Sequence, residues 1–227
     1  MLRLSGGRRL RSPPGATTRP TPARVREAVF NRLQSRFLAV GQQSLHGRHW
    51  LDLFCGSGAM GCEALRRGAA VVMAVDRDRR ALAVAEANLQ AVSKGCRHAA
   101  RFEVVRSDAV GWLKASRPER PFDLIYSDPP YSQSLQPVVA GQVASGGWLR
   151  SHGVLILETG REAELGVDWK SLGWDLGSVK RYGGTCVLML TPRAHCLGST
   201  GTMPPQTGRA ASPERAQERS RRGEAQS

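Results

Sequence analysis

Four consecutive residues, Asp128-Pro129-Pro130-Tyr131, carry the most specific chemistry in the chain. A residue that precedes a proline is pushed out of the helical region, so Asp128 and Pro129 are held extended. Neither proline has an N–H, which leaves their carbonyls as pure acceptors. The segment therefore presents a carboxylate, a carbonyl oxygen and an aromatic face from one stiff loop. The exocyclic amino group of a nucleic-acid base poses the matching problem, because its lone pair is delocalised into the ring and attacks poorly. The Asp128 carboxylate and the Pro129 carbonyl can each take one N–H hydrogen and hold the nitrogen out of plane, with its lone pair turned toward an electrophilic methyl. Catalysis is then mostly positioning, with acceptors matched to developing positive charge. Tyr131 can stack on a base that has left its helix or was never paired. Taken alone, the four residues also read as a proline-rich loop with an aspartate cap. Their place after an apolar run, Phe122 to Ser127, favours the chemical reading.

A methyl donor needs its own seat, and Leu51-Asp52-Leu53-Phe54-Cys55-Gly56-Ser57-Gly58-Ala59-Met60-Gly61 supplies one. The G-x-G-x-x-G spacing leaves an apolar run and enters a helical one, and its glycines permit positive φ and close approach of a ligand to backbone. Asp76 closes the next apolar run and can accept hydrogen bonds from the ribose hydroxyls of an adenosine. Nicotinamide dinucleotides use the same glycine pattern, but they lay a pyrophosphate over the turn, which the carboxylate of Asp52 would repel. S-adenosylmethionine carries an ammonium and a sulfonium and no phosphate, so Asp52 favours it. Asp108 follows a third apolar run, where it can accept from an adenine amino group, cap the next helix, or do both. The expected cofactor set is Asp52, Phe54, Cys55, Gly56, Ser57, Gly58, Asp76, Arg77, Asp108 and Ala109; the expected catalytic set is Asp128, Pro129, Pro130 and Tyr131.

The elements that must position these residues follow from periodicity. Strands are expected at Trp50–Phe54, Val71–Val75, Phe102–Val105, Leu124–Ser127 and Val154–Leu157. Helices are expected near Ala59–Arg67, Arg79–Ala91 and Ala109–Ala115. This alternation predicts an α/β domain, a doubly wound and mostly parallel sheet. Trp174–Val179 and Cys186–Leu190 read as a closing hairpin turned at Tyr182-Gly183-Gly184. Before the sheet, Thr21 and Pro22 suit an N-cap and a first helical position, and Val25, Val29, Leu33 and Phe37 make an apolar stripe. The first thirty residues hold seven arginines against Glu27. They form either a solvated tail or a short hairpin turned at Gly6-Gly7. The division expected is a basic extension over 1–20, a domain over 21–191, and a polar tail over 192–227 that cannot bury enough apolar surface to order itself.

The net charge of +14 and the sequence pI near 10.9 point to a polyanionic partner, nucleic acid before membrane. Arg8, Arg9, Arg11 and Arg19 are the candidate RNA contacts. Cys55, Cys62, Cys96, Cys186 and Cys196 are odd in number and form no C-x-x-C pair, so neither a disulfide framework nor a metal site is expected. The chain shows no run long enough to span a bilayer and no secretory signal. A cytoplasmic monomer is expected.

Together these residues resemble the class I amino-methyltransferases with an (Asp/Asn)-Pro-Pro-(Tyr/Phe/Trp) motif. More narrowly, the chain resembles the bacterial RsmD-type family that methylates N2 of a guanine in 16S ribosomal RNA. The narrower likeness rests on Gly6-Gly7-Arg8-Arg9-Leu10 with Thr18-Arg19-Pro20-Thr21 and Val25-Arg26-Glu27-Ala28-Val29-Phe30-Asn31. It rests also on Leu51 to Gly58 with Gly61 and Glu63-Ala64-Leu65, and on Asp128 to Tyr131. It spans residues 1 to 191. It implies a seven-stranded Rossmann-like sheet with a reversed last strand, S-adenosyl-L-methionine over the glycine turn, and a basic extension on the RNA. It also implies a nearly assembled small ribosomal subunit as substrate. Asp76 stands where that family often has Glu, and Cys55 where it commonly has Ala. The rivals are the same chemistry on adenine N6, an NAD-dependent oxidoreductase, and a non-catalytic RNA-binding module on the same fold.

Overall fold

In a computed structural model the protein is described over residues 2–5, 7–13, 21–39, 45–160 and 166–193. Gly6, Arg19 and the tail beyond Arg193 lie outside the described residues, and with them the expectation of disorder there. In chain order the elements are α1 (Ala23–Ala39), β1 (His49–Leu53), α2 (Ala59–Arg66), β2 (Val71–Asp76), α3 (Arg79–Ser93), β3 (Arg101–Arg106), α4 (Ala109–Ala115) and β4 (Phe122–Ser127). α5 (Gln136–Ser145), β5 (Leu149–Thr159), β6 (Trp174–Tyr182) and β7 (Thr185–Pro192) follow.

The seven strands form one sheet in the order β3-β2-β1-β4-β5-β7-β6. β1 to β5 pair in parallel, and β7 runs antiparallel to both β5 and β6. The doubly wound α/β class and the reversed last strand are therefore as expected, and Gly183, with φ +64, turns the β6–β7 hairpin. α5 was not expected. Its sequence, QPVVAGQVAS, has no charged face to give it helical contrast, and its helicity follows from Pro137 in its first turn and from packing of Val139, Ala140 and Val143.

Two apolar layers cover the sheet. Alternation along the strands sends Trp50, Leu124, Tyr126, Val154, Ile156, Val187 and Met189 toward α1, α2 and α3, and Leu51, Leu53, Ile125, Leu155, Leu157 and Leu188 toward α4 and α5. Val25, Val29, Leu33 and Phe37 of α1 are all buried, and Phe30 stacks on Trp50, which in turn faces Tyr126. The period of two has a functional result: Asp52 continues the Trp50 face, and Glu158 continues the Val154 and Ile156 face. Both carboxyls are thus carried on the α1 side at the carboxyl ends of their strands.

The basic N-terminal segment folds back on itself. Arg3 bridges Arg9 in antiparallel fashion, Leu4 N donates to Arg8 O and Leu10 N to Leu2 O, while Leu2, Leu4 and Leu10 are buried in the same layer as α1. Of the two readings of this segment, the hairpin holds for the described residues. Three leucines on one side supply burial that a solvated tail lacks.

Candidate active site

The glycine turn is tied to β2 and packed against α3. Phe54 leaves β1 with φ +58, a left-handed conformation that a non-glycine residue adopts only where its surroundings enforce it. Cys55 N donates to Val75 O (3.1 Å), which ties the turn to β2, and Gly56 N donates to Asp76 Oδ2 (2.9 Å). Gly56 and Gly58 have φ +52 and +72. A side chain at Gly56 would enter open space, whereas a Cβ at Gly58 would lie 3.0 Å from Cβ of Ala85 and one at Gly61 2.8 Å from Cγ1 of Val72. Gly56 thus leaves the ligand side clear, Gly58 needs both its φ and its closeness to α3, and Gly61 lets α2 press on β2.

Asp52 lies behind this turn, 1% exposed, with Oδ2 accepting from Gly61 N (2.9 Å) and Oδ1 buried without a partner. Burial pushes its carboxyl up to about 8, opposed by the Gly61 hydrogen bond. Cys55 and Ser57 are buried, and burial pushes the Cys55 thiol well up, away from the reactive thiolate. Asp76 is half-buried at the end of β2, where Oδ1 accepts from Asp78 N (2.9 Å), and Arg77 beside it is exposed. Asp108 caps α4 by accepting from Gly111 N (2.8 Å), so the capping alternative holds there; Ala109 is buried beneath it.

The Asp128 loop leaves β4, next to β1 in the sheet. Asp128 Oδ2 accepts from Thr21 Oγ1 (3.4 Å), and the same hydroxyl lies 3.4 Å from Tyr126 Oη. This corrects the expectation of a Thr21 N-cap. Thr21 turns its hydroxyl to the site, and the first turn of α1 instead begins on Pro22, whose carbonyl accepts from Val25 N and Arg26 N. Pro129 is buried, and among the described residues nothing donates to its carbonyl. Tyr131 opens a single 3-10 turn, Tyr131–Gln133. Its ring lies against Gly160, where an added Cβ would stand 2.4 Å from Cδ2, and its Oη is 3.3 Å from both Glu158 Oε1 and Thr185 Oγ1.

Glu158 is the buried acid beside the loop that sequence reasoning missed. It is 1% exposed and accepts from the hydroxyls of Tyr126 and Tyr131. Burial raises its carboxyl, and burial together with the Glu158 charge raises Asp128 well above the ordinary carboxylate range. The one signal in the sequence was a lone acid closing the apolar run VLILE, which resembles Asp52 closing nothing but its own strand face. Asn88 was also missed. It donates to Ser57 O (2.9 Å) and Arg11 O (3.0 Å) and accepts from Arg11 N (2.9 Å), which joins the hairpin to the glycine turn.

The arginines of the hairpin divide. Arg8, Arg9 and Arg11 are all exposed, but Arg8 donates to Ala91 O (2.7 Å) near the end of α3. Arg19 lies outside the described residues.

A family model described as conserved hypothetical protein 95 matches residues 4–191. An Escherichia coli protein named ribosomal RNA small subunit methyltransferase D is 32% identical over 177 residues, 78% of this chain and 81% of that one. The chain belongs to this family. It is an RsmD-type methyltransferase of the class I, Rossmann-like fold. YlbH of Bacillus subtilis, provisionally named an rRNA methyltransferase, is 35% identical over 160 residues, covering 70% of this chain and 80% of that one. Among solved structures, Escherichia coli yhhF, provisionally described as a methyltransferase, superposes with a TM-score of 0.68 at 29% identity, covering 85% of this chain and 98% of that one. The RsmD-type chain has no helix among its described residues long and apolar enough to cross a membrane.

Proposed function

We propose that this RsmD-type enzyme transfers a methyl group from S-adenosyl-L-methionine to the exocyclic N2 amino group of one guanine in 16S ribosomal RNA, presented by the small subunit or a precursor particle in the cytoplasm. The observation that carries the reading is the pair of acceptors, Asp128 carboxyl and Pro129 carbonyl, on the loop that leaves β4, the neighbour of the strand that leads into the glycine turn. The turn fits the cofactor. The Gly56 face is open, Asp76 at the end of β2 would accept from the ribose hydroxyls, and Asp52 holds an unpartnered buried oxygen that a cationic ligand would stabilise in its charged form. When bound, S-adenosylmethionine supplies a methyl group on a positively charged sulfur.

The protein's own residues do the rest. Asp128 and Pro129 accept the two amino hydrogens and set the direction of the nitrogen lone pair. Tyr131, braced against Gly160, offers its free ring face to the extruded base. As positive charge grows on the nitrogen, the Asp128 carboxylate stabilises it, and the low polarity around it strengthens that effect. Arg9 and Arg11 contact phosphates along the hairpin.

The test is methyl transfer from labelled cofactor to small-subunit particles and rRNA from cells lacking this protein, with the nucleoside identified by mass spectrometry. N2-methylguanine at one position is the expected outcome. N6-methyladenine would keep the acceptor mechanism and overturn the guanine assignment, and no transfer to any nucleic acid would overturn the substrate class.

A further inference from the structure

Glu158 has no counterpart in the acceptor mechanism, yet its surroundings are too specific for a filler of the core. A carboxyl buried to 1% is ordinarily paired with a cation. Here its partners are two phenols, Tyr126 from β4 and Tyr131 from the loop. Its own backbone is fixed from a third side, since Gln136 Nε2 donates to Glu158 O (3.0 Å) from the start of α5. Tyr131 is also the aromatic residue of the Asp-Pro-Pro-Tyr segment, and Tyr126 shares the Thr21 hydroxyl with Asp128. The chain of contacts thus runs from Tyr131 through Glu158, Tyr126 and Thr21 to Asp128.

We propose that Glu158 is a positioning residue of the methyl-transfer site, which orients the Tyr131 ring through its hydroxyl and is linked through Tyr126 and Thr21 to Asp128. This rests on the acceptor mechanism above. A tyrosine ring pinned at its hydroxyl by Glu158 and Thr185 and at its edge by Gly160 keeps one plane, so an incoming base meets a preformed stacking face. The second effect is electrostatic. The Glu158 and Asp128 carboxyls, linked through Tyr126 and Thr21, resist ionising at once. Glu158 accepts two hydroxyl hydrogen bonds, which favour its charged form, while Asp128 accepts one long bond from Thr21. Burial raises both carboxyls, and the Glu158 charge adds to it at Asp128, which stands well above the ordinary range. The other groups facing the pair are Asp52, which raises Asp128 further, and the phenols Tyr126 and Tyr131; Arg26 of α1 interacts electrostatically with Tyr126.

The experiment compares full-length wild type with Glu158→Gln, which keeps one acceptor oxygen and removes the charge. Methyl transfer to the small-subunit particle is followed from pH 5.5 to 9. Expected is a fall in kcat of tenfold or more at neutral pH, cofactor affinity within about twofold, and an acid limb of the kcat/KM profile displaced to lower pH. The sign follows from removing a neighbouring negative charge, which lets Asp128 ionise earlier. In parallel, proteins carrying 13Cζ-tyrosine are examined by NMR, with signals assigned through Tyr126→Phe and Tyr131→Phe. Both resonances should move in Glu158→Gln, a readout that needs no substrate. Unmoved resonances, or an acid limb that stays in place with kcat within twofold of wild type, would overturn the proposal and leave the RNA reading standing. A wild-type enzyme that transfers no methyl to RNA while both resonances move would instead remove the RNA reading and keep Glu158 as the residue that holds Tyr131.

Discussion

The glycine turn and the Asp128 loop sit at the ends of neighbouring strands and are held in opposite ways. The turn draws on the strands and helices that adjoin it in the chain: Asp52 reaches Gly61, Asp76 reaches Gly56 and Asn88 reaches Ser57, 9, 20 and 31 positions apart in sequence. The loop borrows its supports. Asp128 is held by Thr21, 107 positions away, and Tyr131 by Glu158 and Thr185, 27 and 54 away. A turn held by its chain neighbours can be strained, as Phe54 with φ +58 is, because nearby bonds fix it. A loop with distant supports depends on the whole sheet being assembled. Damage to the turn should therefore appear in stability and cofactor binding, and damage to the loop in turnover.

The largest expected effect is at the loop. Asp128→Ala should lower kcat by a thousandfold or more while cofactor affinity stays within about threefold, measured by labelled-methyl transfer and calorimetry. Loss of cofactor binding of similar size would break the separation between the two regions. Next is the turn. Gly61→Ala puts a methyl 2.8 Å from Cγ1 of Val72, and the overpacking should cost about 1–3 kcal/mol in urea unfolding and weaken the cofactor. A variant as stable as wild type would mean that α2 shifts freely, and that the turn is not fixed by close packing.

Asp52 sharpens the comparison through pH. Its folded carboxyl stands at about 8 against an unfolded value near 3.8, so its stabilising contribution is complete below about pH 4 and is lost as pH rises through 8. Over pH 5–7 the unfolded state is ionised and the folded group is not, which gives a loss of about 1.4 kcal/mol per pH unit from this site alone. Asp52→Asn should flatten that slope in denaturant melts made without cofactor. Asp128 and Glu158 are raised in the same direction and keep part of it. An unchanged slope would show that Asp52 is already ionised in the free protein.

The smallest effect belongs to the hairpin. Arg9→Glu with Arg11→Glu should weaken RNA binding a few-fold and reduce the slope of log affinity against log salt by roughly one or two. Both side chains are exposed, so stability should hold; Arg8 is less suitable because it donates to Ala91 O. Unmoved affinity and salt slope would leave the hairpin a purely structural cover for α1.

What the sequence determined by itself is everything whose cause lies within a few turns of chain. The strand–turn–helix at Asp52 to Gly61, the Asp76 cap of the crevice, the stiff Asp128-Pro129-Pro130 backbone and the alternation that makes an α/β sheet all follow from local sterics and periodicity. So does the β6–β7 hairpin. What only the tertiary structure decided is which side chains meet across the sheet. Thr21 carries an N-cap signature, and nothing nearby in sequence shows its hydroxyl going to Asp128 instead. Glu158 reads as an ordinary acid at a strand end until β4 and β5 pair and bring Tyr126 beside it. α5 carries no amphipathic pattern and becomes a helix where Val139, Ala140 and Val143 find a buried face. Long-range hydrogen bonds and shared desolvation leave no period in the sequence, because their partners are joined by the fold and not by the chain.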